Sequence, residues 1–176
     1  MNQLAIVNLN NISEAEAKDF YFRQAVRAII LDSENKIALM SVAKHHYHKL
    51  PGGGIEKDEI EMQALARECR EEAGCQIEVI GEVGSILEYK DQWQLKQESF
   101  CYLAKVVGQK GNPEFTEEEL FDDFKLIWIG IDQAIELIKS DQPEIYEGRI
   151  INTRDLTFLL KAREIIEKTN KKIFIG

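Results

Sequence analysis

Hydrophobic and polar positions alternate along two early segments of the chain. FYFRQAVRAIIL (20–31) is rich in β-branched and aromatic residues, DSEN (32–35) has the composition of a turn, and KIALMSVAK (36–44) alternates again. A period of two residues on both sides of a turn is typical of paired strands. We therefore predict a β-hairpin over residues 20–44.

A helical period follows the loop HHYHKLPGGG. Residues 58–73 contain no Gly or Pro, and apolar or small side chains recur there at spacings of three and four, namely Met62, Leu65, Ala66, Cys69 and Ala73. This is the stripe of an amphipathic helix, and Gly74 is a residue that commonly ends one. The pattern predicts a helix that begins with an acid at Asp58 or Glu59 and ends at Ala73.

The remaining elements alternate irregularly between strands and helices. We predict strands at 76–90, 97–108 and 124–131, an acidic loop or short helical turn at 111–123, and helices at 131–140 and 152–168. In the last helix the predicted inward-facing residues are Leu156, Leu159, Leu160, Ala162, Ile165 and Ile166. The order predicts a mixed sheet between helices, in one domain over residues 1–176 with an N-terminal extension at 1–19.

Composition excludes several classes of function. The net charge of −9 and the pI near 5.0 disfavour a protein that grips nucleic acid by neutralising phosphates, including an RNA-decapping enzyme. No apolar run is long enough for a membrane span or a signal peptide. We expect a cytoplasmic protein without nucleic-acid or membrane partners.

Cysteine and histidine do not form the spacing of a zinc site. Cys69, Cys75 and Cys101 are odd in number and lack a C-x-x-C pair, so we predict reduced thiols in the core. No further Cys or His completes a tetrahedral set with the histidines of HHYH.

The segment RECREEAG (67–74) crowds like charges on the predicted helix. At about 100° per residue, Glu68, Glu71 and Glu72 fall within an arc of about 100°. Carboxylates that close repel each other, and a hard divalent cation such as Mg²⁺ or Mn²⁺ would relieve the repulsion. The helix alone also allows a solvated acidic face. Arg67, four residues before Glu71, is placed to form an ion pair with it.

The context of this helix carries a family resemblance. Gly53, Glu59, the RECREE run and Gly74 reproduce the spacing G-x5-E-x7-R-E-U-x-E-E-x-G-U, where U is apolar and is here Cys69 or Cys75. This pattern resembles the Nudix box of the Nudix hydrolases, and the surrounding elements are similar over roughly residues 20–168. The resemblance implies a Nudix α/β/α sandwich with a mixed sheet. It also implies hydrolysis of a nucleoside diphosphate linked to another group.

The resemblance also implies a role for each residue of the box. Glu68, Glu71 and Glu72 would bind Mg²⁺ or Mn²⁺, and a carbonyl of Gly52 or Gly53 would add a ligand. Water would attack phosphorus directly, with no covalent intermediate. Arg67 would orient an acid such as Glu71, while Glu68 would be the first candidate for the general base.

Residues outside the helix are assigned more loosely. Glu59 is expected to act through water or to cap the helix. The acidic loop offers Glu114, Glu117, Glu118 and Glu119 as an added ligand or base, of which we favour Glu118 or Glu119. His48 or Tyr47 is expected to contact the base of the substrate, because many family members carry an aromatic residue at this place.

The substrate stays open at this point. We expect a nucleoside triphosphate or related nucleotide, including oxidised forms as in MutT-like enzymes. ADP-ribose or a dinucleoside polyphosphate is the alternative within the family, and a non-catalytic Nudix-fold nucleotide sensor is the alternative of another class. The oligomeric state is also open, with a homodimer as one alternative.

Overall fold

A seven-stranded mixed sheet forms the centre of the protein in a computed structural model that describes residues 1–173. The strands are Gln3–Val7 (β1), Tyr21–Leu31 (β2), Ile37–Val42 (β3), Tyr47–Lys49 (β4), Gln76–Lys90 (β5), Leu95–Val107 (β6) and Phe124–Ile129 (β7). The helices are Glu61–Ala73 (α1), Glu117–Phe121 (α2), Ile131–Ser140 (α3) and Tyr146–Ile173 (α4). The strand order is β1-β5-β6-β2-β3-β4, and β7 pairs with β3.

Helices cover both faces of the sheet, because successive side chains of a strand point to opposite faces. In β2, Val26, Ala28 and Ile30 belong to the core under α1. Ile29 and Leu31 belong to the larger core under α3 and α4. The predicted mixed sheet between helices is therefore confirmed.

The hairpin predicted over residues 20–44 is wrong in its extent. β2 and β3 are antiparallel neighbours only at Leu31 and Ile37, while β2 pairs in parallel with β6 along all 11 of its residues. On its other side, β2 hydrogen-bonds to residues 50–54, which we call the glycine loop: Val26 N–H donates to Gly53 O and Ala28 N–H to Pro51 O, both at 2.9 Å. The loop therefore occupies the place that a long β3 partner would take.

Helix α1 begins at Glu61, later than predicted. Asp58 has a left-handed backbone (φ 66°), which is incompatible with the helix, and the Gln63 side chain accepts the Ile60 N–H in the first turn. Met62 and Ala66 of the predicted apolar stripe are exposed. The buried face instead consists of Ala64, Leu65, Glu68, Cys69, Glu72 and Ala73. Two of the acids thus lie on the inner side of the helix.

Helix α4 begins at Tyr146 rather than at residue 152 and ends beyond residue 168, at Ile173. Its inward-facing residues were predicted correctly, since Leu159 and Ala162 are fully buried. The other four pack against the same core as partly buried side chains: Leu156, Leu160, Ile165 and Ile166.

The three cysteines are free and buried, in agreement with the prediction. The N-terminal extension contributes β1, which pairs in parallel with β5 at the edge of the sheet. Among residues 1–173, no helix is both long and apolar enough to cross a membrane.

Candidate active site

Helix α1 and the glycine loop line one cleft of about 560 Å³. Of the predicted site residues, its walls contain Gly52, Gly53, Arg67, Glu68, Glu71, Glu72 and Glu119. Four predicted residues lie outside its walls: Tyr47, His48, Glu59 and Glu118. The sequence therefore located the centre of the cleft, while its rim differs from the expectation.

The three successive glycines of the loop have three different neighbours. Gly52 has φ 136°, and a Cβ atom there would overlap the Val26 carbonyl. A Cβ at Gly53 would overlap the carboxylate of Glu68, and one at Gly54 would overlap the guanidinium of Arg23. The loop therefore packs closely between β2 and α1. Only glycine leaves room for the Glu68 carboxylate and the Arg23 guanidinium to contact the loop backbone.

Glu72 connects α1 to this loop. Its Oε2 accepts the Gly52 backbone N–H at 2.6 Å, and its Oε1 accepts Lys49 Nζ at 2.6 Å. Glu72 is only 3% exposed, so these bonds form where water screens them little.

Arg67 ties together the other acids of the box. It donates to Glu59 through two bonds of 3.0 Å, to Glu68 at 2.7 Å and to Glu71 at 3.2 Å. A further bond of 3.1 Å reaches the Gly54 carbonyl. The bond with Arg67 lowers the pKa of Glu59. Glu59 therefore anchors Arg67 and does not cap the helix, which corrects one of the two roles expected of it.

Glu68 differs electrostatically from Glu59. Burial, together with the nearby charge of Glu72, raises the pKa of Glu68, although Arg67 opposes the shift. A carboxylate with a raised pKa accepts a proton more readily near neutral pH.

The chemistry of the donor set fits a hard divalent cation, although the three acids now bond to other partners. Among the described residues, no three His, Cys, Asp or Glu side chains converge into a preformed metal site. Glu68 and Glu71 are bonded to Arg67, and Glu72 to Lys49 and Gly52, so each acid already has a positive or N–H partner. Carboxylates beside a glycine loop are nevertheless the oxygen ligands that Mg²⁺ and Mn²⁺ prefer.

The two loop carbonyls are not equivalent as ligands. Gly53 O already accepts Val26 N–H at 2.9 Å and Arg27 Nη1 at 3.2 Å. Within residues 1–173, no hydrogen bond ends on the Gly52 carbonyl oxygen. Gly52 therefore offers the freer oxygen.

The predicted loop acids divide between two adjoining clefts. Glu119 and Glu114 line the main cleft. One oxygen of Glu119 is engaged in the cap of α2, since Oε2 accepts the Thr116 N–H at 2.8 Å and the Thr116 hydroxyl at 2.9 Å. Glu118 lines a smaller cleft of about 230 Å³, which shares Lys49, Thr116 and Glu119 with the main one.

The pleat of β4 separates the two predicted base-contacting residues. Tyr47 is buried and lines the smaller cleft beside Phe124. His48 points to the other side, where its Nδ1 lies 2.8 Å from Asp141 Oδ1 and its backbone N–H donates to Asp141 Oδ2 at 2.7 Å. His48 therefore reaches neither the main nor the smaller cleft.

Two cations of the main cleft were missed by the sequence analysis. Lys49 bonds to Glu72, and Arg23 lies flat against Gly54 with no ion pair to any residue of the described chain. Lys49 stands directly before LPGGG and could have been noticed there. No feature of the sequence marks Arg23 as a site residue, because a charged residue near the start of a strand is most often simply solvent-exposed.

The sequence profile of the NUDIX domain family matches residues 21–148, which include the glycine loop, α1 and the sheet strands β2 to β7. The chain belongs to the NUDIX domain family. The match thus contains every residue of the cleft described above.

Known NUDIX proteins resemble the chain in sequence and in fold. Nudix hydrolase 13, mitochondrial, of Arabidopsis thaliana is 27% identical over 117 residues, covering 63% of this chain and 58% of that protein. The chain therefore spans somewhat more than half the length of this relative.

Two solved structures share the fold. The MutT protein from Methanosarcina mazei Go1 has a TM-score of 0.56 at 16% identity, covering 83% of this chain and 96% of that one. The MutT NUDIX hydrolase from Burkholderia pseudomallei has a TM-score of 0.53 at 20% identity, covering 76% and 98%.

Proposed function

We propose that this NUDIX protein is a divalent-metal-dependent pyrophosphohydrolase that cleaves the diphosphate linkage of a nucleoside triphosphate or related nucleotide. The observation that carries the proposal is that Glu68, Glu71 and Glu72 line one cleft together with Gly52. An acid-rich cleft binds a phosphate only if cations intervene, and this cleft contains both protein cations and the oxygen donors for a metal ion.

The proposed metal ligands are the three carboxylates and the Gly52 carbonyl. Bound Mg²⁺ or Mn²⁺ would supply positive charge against the phosphate oxygens and a lowered pKa for the attacking water. Arg67 holds Glu68 and Glu71 in place through its bonds of 2.7 and 3.2 Å. Glu68, which lines the cleft and is held by Arg67, takes the proton of the attacking water.

Lys49 and Arg23 would bind the remaining phosphate oxygens. Both line the cleft, and Arg23 has no ion-pair partner among residues 1–173 that a phosphate would have to displace. Arginine suits this role because its planar group can donate two parallel hydrogen bonds to a phosphate.

The cleft has the size of a small-molecule site. Its volume of about 560 Å³ lies within the range found for such sites. We assign the nucleobase to the smaller cleft, where Phe124 is partly exposed beside the buried Tyr47 and offers an aromatic ring for stacking. Oxidised nucleotides are included in this proposal, with ADP-ribose and dinucleoside polyphosphates as the alternatives.

We also propose that the protein works in a reducing compartment such as the cytoplasm. Cys69, Cys75 and Cys101 are all free, as expected where thiols are kept reduced. The name of the Arabidopsis relative points to mitochondria for that protein.

The test is a substrate panel. The purified full chain is incubated with Mg²⁺ and with ordinary and oxidised nucleoside triphosphates, ADP-ribose or a dinucleoside tetraphosphate, and phosphate and pyrophosphate release are measured. We expect pyrophosphate and a nucleoside monophosphate from a triphosphate, and no release when EDTA removes the metal. Nucleotide binding by calorimetry without any turnover across the panel would replace this proposal with that of a non-catalytic nucleotide sensor.

A further inference from the structure

A second group of charged residues lies beneath the glycine loop, on the face of the sheet opposite α1. Five ionisable side chains are buried there, and none is more than 6% exposed: Arg27, Glu88, Lys90, Arg154 and Asp155. They come from β2, β5 and α4. We call this group the buried charge cluster.

The cluster bonds directly to the loop that faces the carboxylates. Asp155 Oδ2 accepts the Leu50 backbone N–H at 2.8 Å, and Arg27 Nη1 donates to Gly53 O at 3.2 Å. Both Asp155 oxygens also accept from Arg154, at 2.7 and 3.1 Å. The loop is therefore tied at both ends to groups that water does not reach.

The loop is thus held from two opposite layers. Gly52 N–H donates to Glu72 of α1, while Leu50 N–H, two residues earlier, donates to Asp155 of α4. Alternate amides of one short segment are fixed by carboxylates from the two helical layers of the sandwich. A shift of either helix would move the loop segment that Glu68 and Glu72 contact.

A contribution to the stability of the fold does not by itself explain why these charged residues are buried. Arg27 Nε, Arg154 Nη1 and Glu88 Oε2 make no hydrogen bond to another group of the described chain, although they are buried. Arg154 Nη1 and Glu88 Oε2 lie 3.5 Å apart. Buried charges that are incompletely paired are commonly less stabilising than apolar side chains of similar volume, so their presence here calls for another explanation.

We infer that Asp155 is a positioning residue, which fixes the Leu50–Gly53 backbone so that the carboxylates of α1 can share a metal ion with it. Arg154 and Arg27 support Asp155, the first by orienting its carboxylate and the second by holding the Gly53 carbonyl. The inference rests on the proposed function, because it assigns a role in the same metal-dependent site. It is tested by measurements that do not require a substrate.

The first experiment compares Asp155→Asn with Asp132→Asn, which changes an exposed carboxylate on α3 in the same way. Amide hydrogen exchange at Leu50 and the affinity for Mn²⁺ alone, measured by electron paramagnetic resonance, are the readouts. For Asp155→Asn we expect exchange at Leu50 to accelerate and Mn²⁺ to bind about 10-fold more weakly, whereas Asp132→Asn leaves both unchanged. A folded Asp155→Asn variant with native Mn²⁺ affinity would overturn the inference.

The second experiment uses the unaltered chain, in case Asp155→Asn does not fold. Coupling between two sites is reciprocal, so Mn²⁺ bound at the carboxylates should slow amide exchange at Leu50. Slowing confined to α1 and Gly52, with no change at Leu50, would overturn the inference.

Steady-state kinetics separates this inference from the proposed function. If the chain hydrolyses a nucleotide, Asp155→Asn should lower kcat more than it changes KM, since Asp155 touches the loop and not the cleft. If no substrate of the panel is turned over, the proposed function fails, while the Mn²⁺ and exchange measurements still decide the role of Asp155.

Discussion

The cleft and the buried charge cluster use the same kinds of side chain in opposite ways. In the cleft, Arg67 is shared among three acids at distances of 2.7 to 3.2 Å and stays partly exposed. In the cluster, Arg154 and Glu88 are enclosed, with side-chain exposures of 1% and 0%. Arg67 and Glu71 keep part of their surface open to solvent, whereas Glu72 of the cleft is nearly as enclosed as Arg154 and Glu88.

The comparison shows that two sets of charged residues bond to the same loop from opposite sides. The two sets lie back to back across one loop, and the loop backbone is the only protein segment that hydrogen-bonds to Glu72 on one side and Asp155 on the other in the described chain. Removing a charge should therefore have different consequences in the two regions. Loss from the cluster should destabilise the fold, and loss from the cleft should remove function.

The largest effect is expected for Glu88→Gln. This change leaves Lys90 buried without its carboxylate and removes one of the two carboxylates beside Arg154, so we expect the free energy of unfolding at pH 7 to fall by about 3–5 kcal/mol in urea denaturation. Glu78→Gln, an exposed change on the same strand, is the control. A native urea midpoint for Glu88→Gln would show that the cluster is not enclosed as described.

The same variant gives a pH test with a defined sign. Burial alone would raise the pKa of Glu88, but the charges of Arg154, Lys90 and Arg27 outweigh it and lower the pKa to about 2. A pKa below the ordinary 4.5 means that the stabilisation is complete above about pH 4.5 and is lost as the pH falls through about 2. The difference in unfolding free energy between the unaltered chain and Glu88→Gln should shrink across that window. A constant difference would contradict the pKa shift.

The next largest effect concerns Glu72→Gln in the cleft. One amide oxygen can still accept the Gly52 N–H, so the fold should persist, but the charge needed for the metal is lost. We expect kcat to fall about 100-fold or more, which corresponds to about 2.7 kcal/mol, with an unchanged circular dichroism spectrum. Glu136→Gln on the exposed side of α3 serves as the control. Near-native turnover would remove Glu72 from the proposed site.

A smaller effect is expected for Gly53→Ala, which places a methyl group against the Glu68 carboxylate. Glu68 would have to rotate away from the loop, and we expect Mn²⁺ affinity to weaken about 10-fold, or about 1.4 kcal/mol. Gly81→Ala is the matched control, because a Cβ at Gly81 meets no atom within 4 Å. Equal Mn²⁺ affinities in the two variants would show that Glu68 does not need its place against Gly53.

The smallest effect is expected for Lys36→Ala. Lys36 Nζ lies 2.6 Å from Glu34, the same distance as between Lys49 and Glu72, but both members of the Lys36 pair are exposed. Solvent screens such a pair, so the urea midpoint should not change measurably. A clear loss of stability would contradict the view that burial governs the energy of these pairs.

The residues that sequence reasoning located share a fixed local spacing. Glu68, Glu71 and Glu72 lie on consecutive turns of one helix, and the helical period places them together without knowledge of the rest of the fold. The mixed sheet was predicted for a similar reason, because strand periodicity is also local.

What the sequence did not reveal depends on long-range packing. Arg27 and Asp155 are 128 positions apart in the sequence, and both hydrogen-bond to the glycine loop. One feature of the sequence could have indicated the cluster. Arg27 is a charged residue within the apolar run AVRAIIL, and burial of its charge requires a partner. The hairpin error has the same origin, since only the folded loop shows what lies beside β2.

The hydrogen bond between Asp155 and Leu50 also bears on where a functional unit of this protein ends. The family match stops at residue 148, near the start of the last helix, so it holds the whole box but excludes the acceptor of the Leu50 amide. A fragment trimmed to that boundary would retain each oxygen that we propose as a metal ligand and would lose one of the two anchors of the loop. Domain swaps between relatives should therefore carry the final helix together with the box.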